Sequence, residues 1–163
     1  MAARPAPDAT GLPAMAAIRQ AIDSDVYDVY RLNCQAFVEA WSVMAIALWR
    51  ERDDDLDVWY TQDGKLAAYY MGQNVLDEVH IMQIAVATPF RRHGLGRRLM
   101  HYEIERKRAD GMSVMMLEVR ESNRAAQRMY ASLGFSEIGL RNDYYAPVAG
   151  HPSENAMVMC IEL

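Results

Sequence analysis

Apolar positions fall into two rhythms along this chain, and the switches between them mark its elements. Residues 16–22 read as a short strand, after which Asp23, Ser24 and Asp25 supply N-cap chemistry for a helix through Phe37. In that helix Val26, Val29, Tyr30 and Asn33 recur at helical spacing, so their face packs on something. A second helix is predicted over 42–52. Strands over 56–61 and 66–75 are joined at Asp63-Gly64, a dipeptide suited to a hairpin turn. Another strand over 78–87 enters a loop with two glycines, and the helix that follows places Leu95, Leu99 and Tyr102 on one side and stops near Asp110-Gly111. Residues 114–119 form a buried strand. Residues 123–133 form a helix with Ala125, Met129 and Leu133 on one face and Gly134 at its end; 135–140 and 156–161 supply two last strands. This alternation predicts an α/β fold, one mixed sheet with helices on its faces and no internal repeat.

Composition narrows the classes. A chain of 163 residues with 52% hydrophobic and 24% charged residues fits one soluble domain with a substantial core. That domain is expected over 15–163; residues 1–14, rich in alanine and proline and without apolar periodicity, read as a disordered leader, and Met15 is a candidate alternative start. The longest apolar run, 43–49, is too short to cross a bilayer, so no membrane partner is expected. Cys34 and Cys160 belong to no C-x-x-C pair and read as packing residues in a protein of the reducing cytoplasm. His80, His93, His101 and His151 form no ligand-spaced cluster, so no metal is expected. The net charge of −5 disfavours nucleic acid and suits a basic peptide. The acidic run 53–55 reads as a solvated turn or as an attractor of a cationic substrate. A monomer, or a weak dimer through an exposed sheet edge, is expected.

Two stretches carry candidate chemistry. Residues 84–96 read Ile-Ala-Val-Ala-Thr-Pro-Phe-Arg-Arg-His-Gly-Leu-Gly, a strand, a turn and a helix N-terminus. The first turn of a helix presents backbone N–H groups and the positive end of the dipole to an anion. Gly94 and Gly96 admit that anion to the main chain, and Arg91, Arg92 and Arg97 add charge around it, which suits a diphosphate. The spacing is neither a dinucleotide fingerprint nor a P-loop. In the second stretch, Glu118 follows Met115, Met116 and Leu117, where a carboxylate is costly unless solvated or paired. It is either a base whose proton affinity is raised by burial or a strand-end partner for Arg120 or another arginine. Tyr130 lies beside the Ala125–Met129–Leu133 face and is either core packing or a proton donor; Asn123 is a helix N-cap by default and a ligand contact otherwise.

The Arg91-x-x-Gly94-x-Gly96 spacing resembles the pyrophosphate-binding signature of the GNAT acetyltransferases. With Ile84-Ala85-Val86, Leu117-Glu118-Val119-Arg120, Ser122-Asn123, Leu133-Gly134-Phe135 and Arg141-Asn142-Asp143-Tyr144-Tyr145, the chain resembles the branch of that family that acetylates the N-terminal alanine of a ribosomal protein. The resemblance covers residues 18–163. It implies a mixed, mostly antiparallel central sheet with helices on both faces and acetyl-CoA as co-substrate. It implies further that Ile84, Ala85 and Val86 hold pantetheine and the acetyl group through their main chain. The diphosphate would fall to Arg91, Arg92, His93, Gly94, Leu95, Gly96 and Arg97, and a cofactor contact to Asn123. Glu118 is then the general base and Tyr130 the general acid, while Tyr144 and Tyr145 contact a basic protein N-terminus, that of small-subunit ribosomal protein number eighteen. Lysine side chains or small amines are the alternative acceptors, and a catalytically silent CoA-binding module is a third reading. Two departures stand out: the leader 1–14 reads as an extension, and Glu39-Ala40-Trp41-Ser42, on the acceptor side, lacks the proline expected before that tryptophan.

Overall fold

A computed structural model of the chain describes residues 12–52, 54–148 and 150–163. Seven strands, β1 (Arg19–Gln20), β2 (Asp55–Tyr60), β3 (Leu66–Val75), β4 (Glu78–Val86), β5 (Val114–Arg120), β6 (Ser136–Tyr145) and β7 (Glu154–Glu162), form one sheet in the order β1-β2-β3-β4-β5-β7-β6. Among the described residues four α-helices accompany them: α1 (Val26–Ala36), α2 (Val43–Arg50), α3 (Leu95–Ala109) and α4 (Arg124–Ser132). The sheet is mixed. β4 and β5 are parallel, whereas β1–β2, β5–β7 and β6–β7 are antiparallel. No helix among the described residues is long and apolar enough to cross a membrane.

The chain divides into two compact units, Met1–Met71 with Gln83–Leu99 and Gly72–Met82 with Met100–Leu163. In the first, Val26, Val29 and Leu32 of α1 and Ile46 and Trp49 of α2 bury against Leu56, Val58, Tyr69, Met71 and Ala85. Ser42 caps α2 by accepting from the Ala45 N–H at 3.1 Å. Gly64, at φ +82°, turns the chain from β2 to β3 with its N–H on the Thr61 carbonyl. In the second unit, Glu78 pairs with Val114 and Ile81 with Leu117, and β5 pairs with β7 along its whole length.

Several expectations are corrected. The strand expected over 16–22 is ladder-paired only at Arg19 and Gln20, although Ala16 and Ala21 still donate to the Tyr60 and Leu56 carbonyls. Asp54 and Asp55 are buried rather than solvated, with Arg52 Nε donating to Asp54 at 2.7 Å; the rest of that acidic run, Asp53, lies outside the described residues. The buried side of α3 continues from Leu95 and Leu99 through Glu103, Ile104 and Lys107, not Tyr102, which is exposed. At 100° per residue Glu103 stands over Leu99, and the ion pair to Arg106 with the bond from Lys107 to Asn74 makes those charges tolerable inside. On α4 the inner residues are Gln127 and Tyr130, while Ala125 is exposed. Gln127 Nε2 donates to the Arg120 and Glu121 carbonyls, so a polar residue takes the place that apolar periodicity gave to Ala125, Met129 and Leu133. Cys34 is exposed and not a packing residue. Most of the expected leader, residues 1–11, lies outside the described residues; Leu12 is buried, and the Ala14 carbonyl accepts from Gln62.

Candidate active site

In the first unit β4 ends in a joint built for main-chain exposure. Ala85 turns its side chain into the core, which leaves Ile84 and Val86 half-buried on the other face. Pro89 lies in a single 3-10 turn, Thr88–Phe90, and Phe90 is buried. Arg91 Nε donates to the Val86 carbonyl at 2.8 Å, tying the loop back to the strand. Arg92 at φ +65° and Gly94 at φ +77° both take left-handed backbone. His93 Nδ1 stands 2.7 Å from the Arg91 carbonyl, which makes Nδ1 the protonated nitrogen. The first bond of α3 runs from the Arg98 N–H to the Gly94 carbonyl at 3.0 Å, so the amides of Leu95, Gly96 and Arg97 precede any intrahelical acceptor. A Cβ at Gly94 would meet nothing within 4 Å, so the main chain there is open to a ligand. Exposed Arg91, Arg92 and Arg97 surround it, and this donor set has the chemistry to take a diphosphate.

In the second unit β5 alternates cleanly, with Met115, Leu117 and Val119 buried and Met116, Glu118 and Arg120 on the half-open face. Glu118 is paired after all, but with Arg141 of β6, whose Nη2 lies 3.3 Å from its carboxylate. Arg120 pairs instead with Glu154 at 3.0 Å. Hydrogen bonds from Ser122 and Arg120 hold the Glu154 carboxyl below its ordinary range. Both arginines lie on tyrosine rings, Arg120 4.0 Å from the Tyr145 centroid and Arg141 5.3 Å from that of Tyr144. Tyr144 and Tyr145 meet edge to face with centroids 5.1 Å apart. Tyr130 packs on Phe135 at 5.7 Å, and burial, then Tyr145, raise its phenol above the ordinary tyrosine value. Asn123 accepts from the Ala126 N–H at 3.2 Å, the N-cap role. The structure thus collects Glu118, Tyr130, Tyr144 and Tyr145 in one unit and residues 84–86 and 91–97 in the other.

Sequence reasoning passed over Arg141 and Asn155 as members of this face. It also passed over Asn33 with Gln83 as a buried polar pair. Only the left-handed preference of Asp143 gave any local hint. No group of His, Cys, Asp and Glu among the described residues could hold a metal.

A glycine loop between a strand and a helix N-terminus is an arrangement suited to an anion such as a phosphate. Residues 26–135 match the acetyltransferase (GNAT) family, and the chain belongs to that family; it is an acetyl-CoA-dependent N-acetyltransferase. Over 140 residues it is 36% identical to the [ribosomal protein bS18]-alanine N-acetyltransferase of Escherichia coli K12, covering 86% of this chain and 93% of that protein. The crystal structure of the ribosomal-protein-S18-alanine N-acetyltransferase from Escherichia coli superposes with a TM-score of 0.82 at 34% identity, covering 90% of this chain and 92% of the other. Ard1 from Thermoplasma volcanium gives 0.81 at 28% identity, covering 92% and 98%.

Proposed function

We propose that this chain acetylates a protein N-terminal α-amine, that of an alanine at the start of a basic ribosomal protein, in the cytoplasm. The observation that carries the reading is the likeness to the bacterial alanine N-acetyltransferases over nearly the full length of both chains. The residues of the second unit supply the chemistry. A peptide α-amine has a pKa near ~8, so a share of it is protonated at neutral pH and needs a base. Glu118, on the half-open face of β5, takes that proton directly or through one water. Acetyl-CoA supplies a thioester carbonyl activated toward amines, and the backbone N–H of Val86 is the donor proposed for its oxygen. Tyr130, kept protonated by burial, is the proton source for the departing thiol. Tyr144, half exposed, and Tyr145 contact the acceptor backbone. Neither cysteine takes part.

The test is mass spectrometry of two peptides incubated with enzyme and acetyl-CoA. One begins with a free alanine followed by basic residues, and the other has a blocked α-amine and a free lysine. A single acetyl group on the free N-terminus alone is the expected result. Acetylation of the lysine peptide would move the acceptor to side-chain or small amines, and binding of acetyl-CoA without transfer to either would overturn the enzymatic roles of Glu118 and Tyr130.

A further inference from the structure

In a regular strand neighbouring side chains project to opposite faces, so Tyr144 and Tyr145 should be separated by the sheet. Their rings are instead 5.1 Å apart. The ladder explains how: Arg141 pairs with Ala156 and Tyr145 with Glu154, which leaves residues 142–144 opposite the single residue Asn155. This is a bulge, the device by which strands re-aim side chains next to active sites. Asp143 at its centre has φ +49°, a conformation that costs a non-glycine residue energy and persists only where surrounding bonds impose it.

Those bonds are present. The Asp143 N–H donates to Asn155 Oδ1 at 3.0 Å, replacing the ladder bond that the bulge removes. Ser153 Oγ donates to Asp143 Oδ1 at 2.7 Å. Asn155 Nδ2 donates to Glu121 Oε2 at 3.1 Å, and the Glu121 N–H donates to the Asn155 carbonyl at 3.1 Å. The clip therefore joins the bulge of β6 to the start of β7 and to the end of β5, the strand that carries Glu118. On the same face Arg120 and Arg141 support the two rings and bridge to Glu154 and Glu118. A regular β6 would keep the ladder pairing that the bulge interrupts.

We infer that Asp143 and Asn155 are positioning residues for acceptor binding: their clip holds the bulge that puts Tyr144 and Tyr145 together on the Glu118 face. The inference rests on the reading that those tyrosines contact the acceptor peptide. Steady-state kinetics with an alanine-terminal peptide and acetyl-CoA test both. Asn155→Ala and Asp143→Val, whose β-branched side chain resists positive φ, are expected to raise the acceptor KM about tenfold or more, with the acetyl-CoA KM within about twofold. Asp143→Asn, which tolerates the left-handed backbone and keeps an acceptor for Ser153, is expected to restore the wild-type acceptor KM. Equal rises in both KM values with a lowered Tm would overturn the inference in favour of a structural role. An unchanged acceptor KM in Asn155→Ala, while Tyr144→Ala raises it, would overturn the clip and leave the acceptor reading standing. An unchanged acceptor KM in both Tyr144→Ala and Tyr145→Ala would overturn the acceptor reading and the clip with it.

Discussion

Arg141 stands 3.3 Å from the Glu118 carboxylate while its guanidinium lies on the ring of Tyr144, so one side chain touches both the proposed base and a proposed acceptor contact. The pair is not a buried lock. With side-chain exposures of 56% for Arg141 and 26% for Glu118, water screens it and an arriving amine can displace it. Glu118→Gln keeps the shape and removes the base, and is expected to lower kcat by about 10²–10⁴ with acetyl-CoA affinity unchanged. Single-turnover kinetics beside calorimetric titration with acetyl-CoA check it; an unchanged kcat would remove Glu118 from proton transfer. Arg141→Ala, for its part, should cost less than about 1 kcal/mol of stability, read from denaturant unfolding.

The phenols of Tyr60, Tyr69 and Tyr130 are raised in the folded chain, each first by burial. The unfolded chain deprotonates them first as pH rises past about 10, so there it binds fewer protons than the native state. Stability from this source is therefore complete below about pH 10 and lost as pH climbs above it toward the folded values. Urea midpoints measured from neutral to alkaline pH should fall in that upper range, and Tyr130→Phe should make the fall shallower. The same variant is expected to lower kcat at neutral pH while leaving the acceptor KM near its original value. A fall in urea midpoints as steep as that of the parent protein would count against the buried phenol as a source of the alkaline loss.

What was legible and what was not divides along period and pairing. The elements were readable because their apolar rhythms are strong: 66–75 was expected as a strand and β3 is Leu66–Val75, and the 42–52 helix is α2 with Ser42 as its cap. The turn into α3 was readable because glycine spacing is local chemistry. Errors arose where a polar residue is buried because a partner satisfies it there. Glu103 replaces Tyr102 inside α3 through Arg106, and Gln127 replaces Ala125 inside α4 through two carbonyls of the β5 end. The partner of Glu118 was open for the same reason. Arg120 is near in sequence, but Arg141, on β6 beyond the intervening β7, takes the carboxylate, and a bulge register cannot be read from composition.

Asn33 forms a group whose partners are far away in sequence. Its Nδ2 donates to Gln83 Oε1 at 2.5 Å and to the Tyr69 hydroxyl at 2.8 Å, and its Oδ1 accepts from the Trp41 N–H at 2.7 Å. Gln83, next to Ile84, and Tyr69 are also buried, so the group fixes the segment before α2 against β3 and β4. Truncation strands several polar groups at once. Asn33→Ala is expected to destabilise the chain by about 2–3 kcal/mol and to loosen the Trp41 segment. Denaturant unfolding measures the first effect, and tryptophan fluorescence with hydrogen exchange at the Trp41 amide the second. A loss below about 0.5 kcal/mol would mean that water replaces these bonds without cost.

Gly94 and Gly134 separate cofactor binding from folding, because both sit at positive φ, +77° and +101°, for different ends. A Cβ at Gly94 meets nothing within 4 Å, so Gly94→Ala adds only the left-handed penalty of about 1–2 kcal/mol, placed where an incoming diphosphate needs the main chain. A Cβ at Gly134 would lie 3.1 Å from Ile161 Cδ1, so Gly134→Ala adds crowding to the same penalty in the second unit. Gly94→Ala is therefore expected to raise the acetyl-CoA KM about tenfold with a modest fall in Tm, and Gly134→Ala to lower Tm more with the acetyl-CoA KM near the parent value. Thermal unfolding and acetyl-CoA saturation curves on both variants decide it. If Gly94→Ala binds acetyl-CoA as the parent protein does, the anion is held by arginine side chains alone, and the backbone of the loop is not its cradle.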